Sequence, residues 1–491
     1  MAETPGGLIV KGGNEAVMEE ELKPDLCVIG AGSGGLSVAS AAAQFGVPVV
    51  LIEKGLMGGD CLNYGCVPSK SLLAAGKRAD AVRTASTFGI DVMEAQIDHR
   101  AVHDHVHRVI ANIAPNDSVE RFTGLGVRVI QAQANFLDKF TVEAGRVLVR
   151  ARRFVIATGS SPNVPPVPGL DEVPYLTNET IFDNGERIQH LIVLGGGPIG
   201  CELGQAHRML GSHVTIFDRG DFISREDPEA AKVLLKRLEE TEVVMYPHTQ
   251  IERVEPSVQG VAVHFHKDGE NVIIKGSHIL VATGRKPNLK SLSLDRAGIA
   301  HTDKGIKVNE QLKTSNRRVY AIGDAVGGAQ FTHLANYHAS IVIKNALFRL
   351  KPDVSAVNIP RVTYTDPELA QIGLTEQQAH EKYRRISIFR APFADNDRAQ
   401  CERETEGFIK VITKKDGTIL GVTIVGPEAG ELLQLWIVAM AKDMRIGDLI
   451  SLVLPYPTLS ELSKRVAYAY YQPTLAKGWL RSIIGLLRKL G

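Results

Sequence analysis

Residues 25–54 read DLCVIGAGSGGLSVASAAAQFGVPVVLIEK, and this stretch decides the first part of the fold. The run at 25–29, apolar after Asp25, suits a buried strand, and Gly30, Gly32 and Gly35 follow it as G-x-G-x-x-G. An alanine-rich helical stretch comes next, and then a second apolar strand that ends at Glu53. A strand, a glycine turn, a helix, a strand and an acid in this order predict a βαβ unit that binds a dinucleotide.

The same order of features returns at residues 191–219, LIVLGGGPIGCELGQAHRMLGSHVTIFDR. Gly195, Gly197 and Gly200 follow an apolar strand, and the next strand ends at Asp218. One glycine pattern of this kind is a weak signal, because it also occurs in structural turns. Two complete units predict two dinucleotide-binding folds in one chain.

Two segments with an apolar strand before Ala-Thr-Gly, 152–165 and 278–288, support an internal duplication, and a further strand runs into Gly323 and Asp324. We therefore predict an α/β fold with one dinucleotide-binding domain at 22–160 and 285–355. A second such domain is inserted at 161–284.

From residue 356 the pattern changes to strand-like and helical pieces. Residues 407–426 predict a hairpin that turns at Asp416-Gly417, and helices are expected at 430–443 and 459–471. We interpret 356–473 as an α+β third domain, 1–21 as a flexible arm and 474–491 as a basic amphipathic tail.

Composition excludes several classes of protein. The chain has 491 residues, a net charge of +1 and 44% apolar residues, which indicates a globular protein with no general affinity for nucleic acid. Five cysteines are too few for a disulfide scaffold and suggest a reducing compartment. With no signal-peptide pattern and no apolar run of membrane-spanning length, we expect a cytoplasmic protein.

The segment GGDCLNYGCVPSK at 58–70 carries two of the cysteines, Cys61 and Cys66. We expect a helix to begin near Val67–Pro68, just after Cys66, so that its partial positive charge favours a thiolate. Lys70 adds a cation on the first turn. The alternative of a buried structural pair stays open, whereas a zinc site is disfavoured because no second Cys/His pair lies at ligand spacing; we predict no metal site.

This segment resembles the active-site stretch of the glutathione reductase, dihydrolipoamide dehydrogenase and mercuric reductase family, and the similarity extends from Leu26 to about Pro473. The resemblance implies an FAD domain, an NAD(P)H domain and a C-terminal dimerisation domain in a homodimer. It also implies hydride flow from NAD(P)H to FAD and then to a Cys61–Cys66 disulfide.

The resemblance also implies roles for single residues. Cys66 would face the flavin and form a charge-transfer complex with it, Cys61 would meet the substrate, and Lys70 would pair with Glu202. Glu53 would bind the adenosine ribose and Asp324 the ribityl chain. The candidate cofactor-binding residues are Gly30, Gly32, Gly35, Glu53, Lys54, Gly59, Asp60, Thr158, Gly159, Gly195, Gly197, Gly200, Asp218, Arg219, Arg225, Gly284, Gly323 and Asp324.

The segment LPYPTLSELSK at 454–464 departs from the pattern of disulfide-reducing members. Those members carry a proton-carrying histidine where Tyr456 stands, although Glu461 is retained. With a reference pKa near 10, tyrosine is a poor proton shuttle at neutral pH, so thiol substrates are disfavoured. A tyrosine at this place resembles mercuric reductase, but the cysteine pair that delivers metal in that family is missing. We interpret Cys401 as incidental.

The nicotinamide preference depends on residues 215–229. Asp218 ends the second strand, where a carboxylate binds the ribose hydroxyls of NADH and repels a 2′-phosphate. Arg219 and Arg225 match positions where NADPH-using relatives place arginines. We expect NADH to be preferred over NADPH, because the Asp218 carboxylate would repel the 2′-phosphate of NADPH.

Two other patterns lie outside this scheme. Apolar residues at helical spacing and four basic residues in 475–490 are typical of a helix that lies on a membrane surface at the inner face, or of a helix packed on the partner subunit. His103 and His107 share a face of a predicted helix, which we interpret as helical surface.

The sequence therefore predicts an FAD-dependent NAD(P)H oxidoreductase, similar to mercuric reductase, that reduces a small acceptor such as a metal ion or a reactive electrophile. One alternative is a thiol-disulfide reductase of dihydrolipoamide type. Another is a membrane-recruited redox partner or scaffold with slow diaphorase activity.

Overall fold

The computed structural model describes residues 20–93, 95–354, 358–475 and 477–490. The chain divides into two compact units. Unit 1 takes in the described residues up to Gly59, together with Asn116–Gly159 and Pro287–Val354. Unit 2 takes in Asp60–Pro115, Ser160–Lys286 and the described residues from 358 onwards.

The helices of the described residues follow in chain order. They are α1 Ser33–Gln44, α2 Gly59–Asn63, α3 Cys66–Thr84, α4 His99–Ile113, α5 Val119–Gly124, α6 Pro198–Met209, α7 Pro228–Glu240, α8 Thr332–Ala346, α9 Glu376–Lys382, α10 Asp397–Glu402, α11 Ala429–Ala441, α12 Glu461–Leu475 and α13 Gly478–Leu487.

The strands are numbered in the same way. They are β1 Glu20–Leu22, β2 Leu26–Ile29, β3 Val49–Glu53, β4 Arg128–Gln131, β5 Ala134–Phe136, β6 Val142–Ala144, β7 Val147–Val149, β8 Arg153–Ile156, β9 Ser160–Pro162, β10 Tyr175–Leu176, β11 His190–Leu194, β12 His213–Phe217, β13 Val243–Tyr246, β14 Ile251–Ser257, β15 Gly260–Lys267, β16 Glu270–Gly276, β17 His278–Val281, β18 Arg285–Pro287, β19 His301–Thr302, β20 Gly305–Ile306, β21 Val319–Ala321, β22 Arg361–Thr363, β23 Glu368–Gly373, β24 Ser387–Pro392, β25 Phe408–Thr413 and β26 Ile419–Gly426.

Unit 1 is built on a five-stranded parallel sheet in the order β21-β8-β2-β3-β4. Every residue of β2 is buried, which explains why its sequence is an uninterrupted apolar run. Cys27 and Ile29 pack into one apolar cluster, and Leu26 and Val28 pack into another with residues of α1 and α8. Both faces of the sheet are therefore covered.

A second, four-stranded sheet of unit 1 has the order β1-β7-β6-β5. Its strand β1, Glu20–Leu22, begins inside the stretch 1–21 that we expected to be a flexible arm. It pairs in parallel with Val147–Val149. This pairing gives the backbone N–H and C=O groups of β1 hydrogen-bond partners that its neighbours in the sequence do not provide. Residues 1–19 of the expected arm lie outside the described residues.

Unit 2 contains a second parallel sheet, β10-β17-β11-β12-β13, and an antiparallel meander, β14-β15-β16. It also contains an antiparallel sheet, β22-β23-β26-β25-β24, whose strands β25 and β26 form the expected hairpin. The indole nitrogen of the fully buried Trp436 donates to Ser463 over 3.1 Å and joins α11 to α12 beside this sheet. The strands and helices after residue 358 thus form an α+β region.

The predicted α/β fold class is confirmed: two parallel sheets, each with a strand–helix–strand repeat, are followed by an α+β region. In the first βαβ repeat, which belongs to unit 1, α1 follows the glycines and β3 ends at Glu53. In the second repeat, which belongs to unit 2, α6 follows the glycines and β12 ends one residue before Asp218. The domain boundaries that we derived from the sequence remain predictions.

Candidate active site

The two cysteines of the segment 58–70 lie on consecutive helices of a tight turn. Cys61 is half-buried in α2, and the exposed Cys66 is the first residue of α3. We expected this helix to begin just after Cys66. It begins at that residue because the N–H of Ser69 already bonds to the carbonyl of Gly65, the N-cap, over 3.0 Å. Cys66 therefore lies at the positive end of a 19-residue helix.

The turn between the cysteines is held by Asp60, Arg285 and Asn178. The Arg285 guanidinium lies 2.9 Å from Oδ1 of Asp60, and Nδ2 of Asn178 donates to the same oxygen over 3.2 Å. Nδ2 of Asn178 also donates to the carbonyl of Tyr64 over 3.1 Å, so both ends of the turn are tied to one amide. The turn is compact: a Cβ atom on Gly65 would come within 2.8 Å of the Asp60 carboxylate.

Lys70 and Glu202 form an ion pair close to Cys66. Nζ of Lys70, on the first turn of α3, lies 2.8 Å from Oε2 of Glu202 on α6. The carboxylate is buried, and its other oxygen accepts the backbone N–H of Tyr364 over 2.9 Å. The Tyr364 ring lies under the same ammonium, with Nζ 4.3 Å from its centroid. Both oxygens of Glu202 are thus engaged, and Lys70 is fixed between a carboxylate and an aromatic face.

The charge of this cation is secure at neutral pH. Burial lowers the pKa of Lys70, but attraction to the Glu202 carboxylate and the hydrogen bond to it outweigh the burial, and the pKa is raised above its ordinary value. Burial raises the pKa of Tyr364 against the opposing effect of Lys70, so the phenol stays neutral. A fixed cation and a helix N-terminus together are the surroundings that stabilise a cysteine thiolate.

The glycines of unit 1 form a turn that is open for a dinucleotide. Gly30 has φ +104°, and a Cβ atom there would lie 2.4 Å from the carbonyl oxygen of Ala157. Gly32 caps α1 without any side-chain bond to the first N–H groups of the helix. Gly35 lets α1 approach the strand, because a Cβ atom would fall 1.9 Å from the oxygen of Gly30. Unused helix N–H groups next to side-chain-free backbone are a binding site for phosphate oxygens.

The acid at the end of β3 is anchored to this turn. Oε2 of Glu53 accepts the N–H of Ala31 over 2.6 Å, and Oε1 accepts the N–H of Gly55 over 2.7 Å. Lys54 is exposed, and Gly59 has φ +61° and lies against Gly32. The carboxylate is fixed beside the glycine turn, and this arrangement fits a bound dinucleotide such as FAD.

The other predicted residues of unit 1 lie in two tight turns. Thr158 donates its hydroxyl to the carbonyl of Asn288 over 2.8 Å, and Gly159 follows with φ +65°. Gly323, with φ +60°, opens the short 3-10 turn that contains Asp324. The N–H of Gly323 donates to Nδ1 of the buried His338 over 3.1 Å. Burial lowers the pKa of His338 to about 4, so this ring accepts the bond as a neutral imidazole.

Unit 2 repeats the glycine geometry. Gly195 has φ +114°, and a Cβ atom there would lie 2.4 Å from the carbonyl oxygen of Ala282. A Cβ atom on Gly200 would lie 1.9 Å from the oxygen of Gly195. Gly197 is the N-cap of α6 and makes no side-chain cap bond, and a Cβ atom there would meet open space. At Gly284, with φ +110°, a Cβ atom would also meet open space. These positions fit the phosphates of a second dinucleotide.

The residues that we expected to select the nicotinamide cofactor differ in how they are held. Asp218 accepts the N–H of Gly196 over 2.7 Å and that of Gly220 over 2.8 Å, as Glu53 does in unit 1. Arg219 and Arg225 are both exposed. The carboxylate is therefore fixed at the strand end, whereas the two guanidinium groups extend from the surface.

Tyr456 and Glu461 lie in the C-terminal region of unit 2. The Tyr456 hydroxyl donates to Oδ2 of Asp397 over 2.9 Å, and this bond raises the pKa of the phenol above its ordinary value. Glu461 is the first residue of α12. Cys401 lines a surface cavity of about 690 Å³ together with residues 457–460, a position that its sequence neighbours did not indicate.

The histidines of α4 have partners of their own. Nδ1 of His103 lies 2.9 Å from the Asp104 carboxylate, and Nε2 of His107 lies 3.0 Å from the carbonyl of Phe182. In the part of the chain that the structure describes, no group of three or more His, Cys, Asp or Glu side chains is arranged to hold a metal ion.

Sequence reasoning missed Tyr364, Asn178, Arg285 and His338. Arg285 follows the second Ala-Thr-Gly directly, and this position is a signal that could have found it. Nothing near the other three in the sequence points to the residues that they contact.

Across the described residues, no helix combines the length and the apolar character that crossing a membrane requires.

Known proteins with similar sequences carry both parts of this architecture. Residues 24–339 match the pyridine nucleotide-disulphide oxidoreductase family, and residues 359–467 match its dimerisation domain. The chain is 34% identical to a mercuric reductase of Lysinibacillus sphaericus over 461 residues, which are 93% of this chain and 84% of that protein. It is 33% identical to a dihydrolipoyl dehydrogenase of Geobacillus stearothermophilus over 460 residues, 91% and 96% of the two chains.

A solved structure has the same fold. The Cu(II) complex of the HOCl-induced flavoprotein disulfide reductase RclA of Escherichia coli superposes with a TM-score of 0.82 at 26% identity, covering 91% of this chain and 99% of that one. With both family domains matched and these relatives spanning most of its length, the chain belongs to the pyridine nucleotide-disulphide oxidoreductases, flavoenzymes that depend on FAD and NAD(P)H and have a disulfide redox centre.

Proposed function

We propose that the protein uses NAD(P)H to reduce a Cys61–Cys66 disulfide and passes the electrons to a small acceptor, either a metal ion or an electrophilic oxidant. The observation that carries this proposal is the Lys70 ammonium, which Glu202 fixes at 2.8 Å on the first turn of the helix that begins at Cys66. This arrangement lowers the free energy of a thiolate at Cys66 relative to a thiol.

The cysteines perform a balanced two-electron cycle. Two electrons break the S–S bond; Cys61 takes up a proton as a thiol, and Cys66 remains a thiolate beside Lys70. When the acceptor binds, both electrons leave the sulfur atoms, the S–S bond forms again and the Cys61 proton is released. Two one-electron acceptors or one two-electron acceptor complete the cycle.

FAD, when bound, supplies the relay that carries two electrons from the nicotinamide to the disulfide. Gly30 and Gly32 would admit its phosphates to the N-terminus of α1, and Glu53 would bind its adenosine ribose. Asp324 would hold the ribityl chain. In unit 2, Gly195, Gly197 and Asp218 would hold the nicotinamide dinucleotide in the same way.

The absence of a histidine at position 456 supports a small acceptor over a thiol substrate. Reduction of an organic disulfide needs a group that protonates the leaving thiolate near neutral pH. Tyr456 has a pKa above its ordinary value, because its hydroxyl donates to Asp397, and it is a weak acid for this step. A relative is named mercuric reductase, and the RclA structure holds Cu(II). Both fit an acceptor that needs no proton.

We further propose that NADH is the preferred reductant. The Asp218 carboxylate is held at the strand end by the N–H groups of Gly196 and Gly220, where it would accept ribose hydroxyl groups and repel a 2′-phosphate. Arg219 and Arg225 are exposed and would bind a phosphate only with solvent screening.

An anaerobic titration of the FAD-loaded protein with NADH, and separately with NADPH, tests the proposal. We expect a long-wavelength absorbance band at two electrons per chain, together with two additional thiols that react with a colorimetric reagent. Cys66→Ser should remove both signals. Cys401→Ser is the matched control, since it removes an exposed cysteine outside the segment 58–70 and should retain both.

The acceptor is tested in the same preparation. Cu(II) and Hg(II) should accelerate NADH oxidation above the rate without acceptor in the wild-type protein and the Cys401→Ser variant, but not in Cys61→Ser. If the flavin bleaches without a band or new thiols, the disulfide is not the electron store. If neither metal nor hypochlorous acid raises the rate, the proposed acceptor class is wrong.

A thiol-disulfide reductase of dihydrolipoamide type is the second candidate. The 33% identity to a dihydrolipoyl dehydrogenase, 96% of which is covered, favours it, and Glu461 is retained at the start of α12. Steady oxidation of dihydrolipoamide by the wild-type protein would support this candidate. A rate that appears only in Tyr456→His would instead assign Tyr456 as the residue that excludes thiol substrates.

A further inference from the structure

The segment 475–490 contains an amphipathic helix whose apolar face is exposed. In α13, Gly478–Leu487, no residue is buried. Trp479 is 56% exposed, Leu486 62% and Leu487 60%. Side chains of this size are usually covered in a folded protein, and a contiguous exposed set of them marks a binding surface.

The apolar and basic side chains of this helix lie on opposite sides. At about 100° per residue, Trp479, Ile483, Leu486 and Leu487 fall within one face. Arg481 falls on the opposite face. Arg488, directly after α13, continues that basic side. The two sides complement a layered surface whose interior is apolar and whose outer layer is negatively charged.

The charge of the segment differs from that of the chain. The whole chain has 56 basic and 55 acidic residues, so its charges nearly cancel. Between 475 and 490 there are four basic residues and no acid; they are Lys477, Arg481, Arg488 and Lys489. A second copy of this helix would bring the same positive charge, which disfavours pairing of α13 with itself.

We propose that α13 and its basic flanks form an interfacial anchor that binds the surface of a bilayer containing anionic phospholipid. With 10 residues, α13 is about 15 Å long, roughly half the ~30 Å hydrocarbon thickness, so it lies in the plane of the surface. Trp479 and the leucines enter the boundary between headgroups and acyl chains, and the arginines contact the lipid phosphates. This inference is independent of the proposed function, because it uses no residue of the active site.

Tryptophan fluorescence provides a direct test with the full-length, FAD-loaded protein. The chain has two tryptophans, and Trp436 is fully buried, so Trp479 reports alone on lipid contact. We expect a blue shift of its emission with vesicles of phosphatidylcholine and phosphatidylglycerol, and none with phosphatidylcholine alone. Flotation on a density gradient should place the protein with the anionic vesicles and release it at high salt.

Charge variants make the test specific. Arg481→Gln/Arg488→Gln should weaken binding to the anionic vesicles roughly 30-fold, since each basic residue near such a surface contributes about fivefold. Arg384→Gln/Arg385→Gln is the matched control, because it removes the same charge from an exposed pair elsewhere and should bind as the wild type. NADH oxidation with a soluble acceptor should be unchanged in both.

Three results would overturn the inference. One is the absence of binding to either vesicle type. Another is equal weakening by the control pair, which would mean that net charge alone matters. The third result combines two observations: the wild type binds no lipid, and light scattering shows that Trp479→Ser/Leu486→Ser is a monomer where the wild type is a dimer. It would mean that the helix packs against the partner subunit. If metal ions do not stimulate NADH oxidation, the proposed function fails, but the vesicle-binding result and the inference that it tests are unaffected.

Discussion

Nζ of Lys70 lies 2.8 Å from Oε2 of Glu202, although 132 positions separate the two residues in the chain. The first belongs to the helix that begins at Cys66 and the second to the helix of the second glycine motif. Contact between these helices therefore connects the cysteine turn to the nucleotide-binding part of unit 2 and makes the charge beside Cys66 a property of the folded chain.

Replacement of Glu202 by glutamine should remove the negative charge of the side chain while keeping its size and its hydrogen-bond acceptor. The amide oxygen can still accept the N–H of Tyr364, but the ammonium of Lys70 loses its counter-ion and its pKa falls. We expect a loss of about 1–3 kcal/mol in the free energy of unfolding, limited by the partial exposure of Lys70 to solvent. Urea denaturation measures this loss, and Glu402→Gln in the exposed pair with Arg398 should have a smaller effect.

Lys70→Gln should raise the pKa of the Cys66 thiol in the reduced protein, because it removes the cation close to the sulfur and leaves the Glu202 carboxylate without its partner. The pH dependence of alkylation after reduction reports this change. An unaltered alkylation profile would mean that Lys70 does not stabilise the thiolate.

Tyr364 should influence the site through its ring and not through its hydroxyl. Tyr364→Phe keeps an aromatic face under the ammonium 4.3 Å away, whereas Tyr364→Leu removes it. A cation–π contact of about 0.5–1 kcal/mol predicts a roughly two- to fivefold slower reduction of the disulfide in the leucine variant only. Stopped-flow mixing with NADH measures the rate; similar slowing in both variants would instead assign the effect to the phenol.

Arg285 should control the shape of the cysteine turn. Its guanidinium contacts Asp60 at 2.9 Å and donates to the carbonyl of Ser160 over 2.8 Å. Arg285→Lys keeps the positive charge but cannot make the paired contacts of the planar guanidinium group. We expect the free energy of unfolding to fall by about 1.5–3 kcal/mol. We expect Cys61 to be alkylated faster in the reduced variant, because the turn opens. Lys286→Arg, at the adjacent exposed position, should leave the alkylation rate unchanged.

The neutral imidazole of His338 should make the protein acid-sensitive. Burial lowers the pKa of His338 to about 4, from an unfolded value near 6.5, so the unfolded chain binds the proton first as the pH falls. This contribution to stability is fully present above about pH 6.5 and is lost progressively toward pH 4. At about 1.4 kcal/mol per pH unit, the loss reaches roughly 3 kcal/mol.

His338→Asn keeps an acceptor for the N–H of Gly323 but does not titrate. Its unfolding free energy should therefore fall less than that of the wild type between pH 7 and pH 4.5. His380→Asn, at an exposed position, is the control and should follow the wild type. Parallel pH profiles for all three proteins would show that His338 is not held neutral.

Asp218 should determine the nicotinamide preference. Asp218→Asn removes the charge that repels a 2′-phosphate and weakens the acceptor for ribose hydroxyls. We expect kcat/KM for NADH to fall about tenfold and that for NADPH to rise, which corresponds to about 1.4 kcal/mol. Steady-state kinetics with both reductants measures the change. A proportional loss with both would indicate damage to the glycine turn, which Asp218 also anchors.

Much of this architecture was readable from local sequence. Gly30 and Gly195 need positive φ, and each is followed by a helix whose N-cap is another glycine. Glu53 and Asp218 stand at the ends of apolar runs whose length suits a buried strand. Such signals depend on a few adjacent residues, because backbone conformation and the periodicity of burial are local properties.

The partners of the site residues were not readable in this way. Asn178 contacts Asp60 from a loop 118 positions away, and the backbone of Tyr364 meets Glu202 across 162 positions. His338 supports Gly323 from the next helix, and Glu20–Leu22 becomes a strand only because Val147–Val149 offers an edge. The sequence by itself determined two dinucleotide folds, the cysteine segment and the basic amphipathic pattern of residues 475–490, since each is encoded by neighbouring residues. Only the tertiary structure decided which side chains hold the cysteine turn and fix the charge of Lys70, because sheet order and helix packing bring together residues that no local spacing relates.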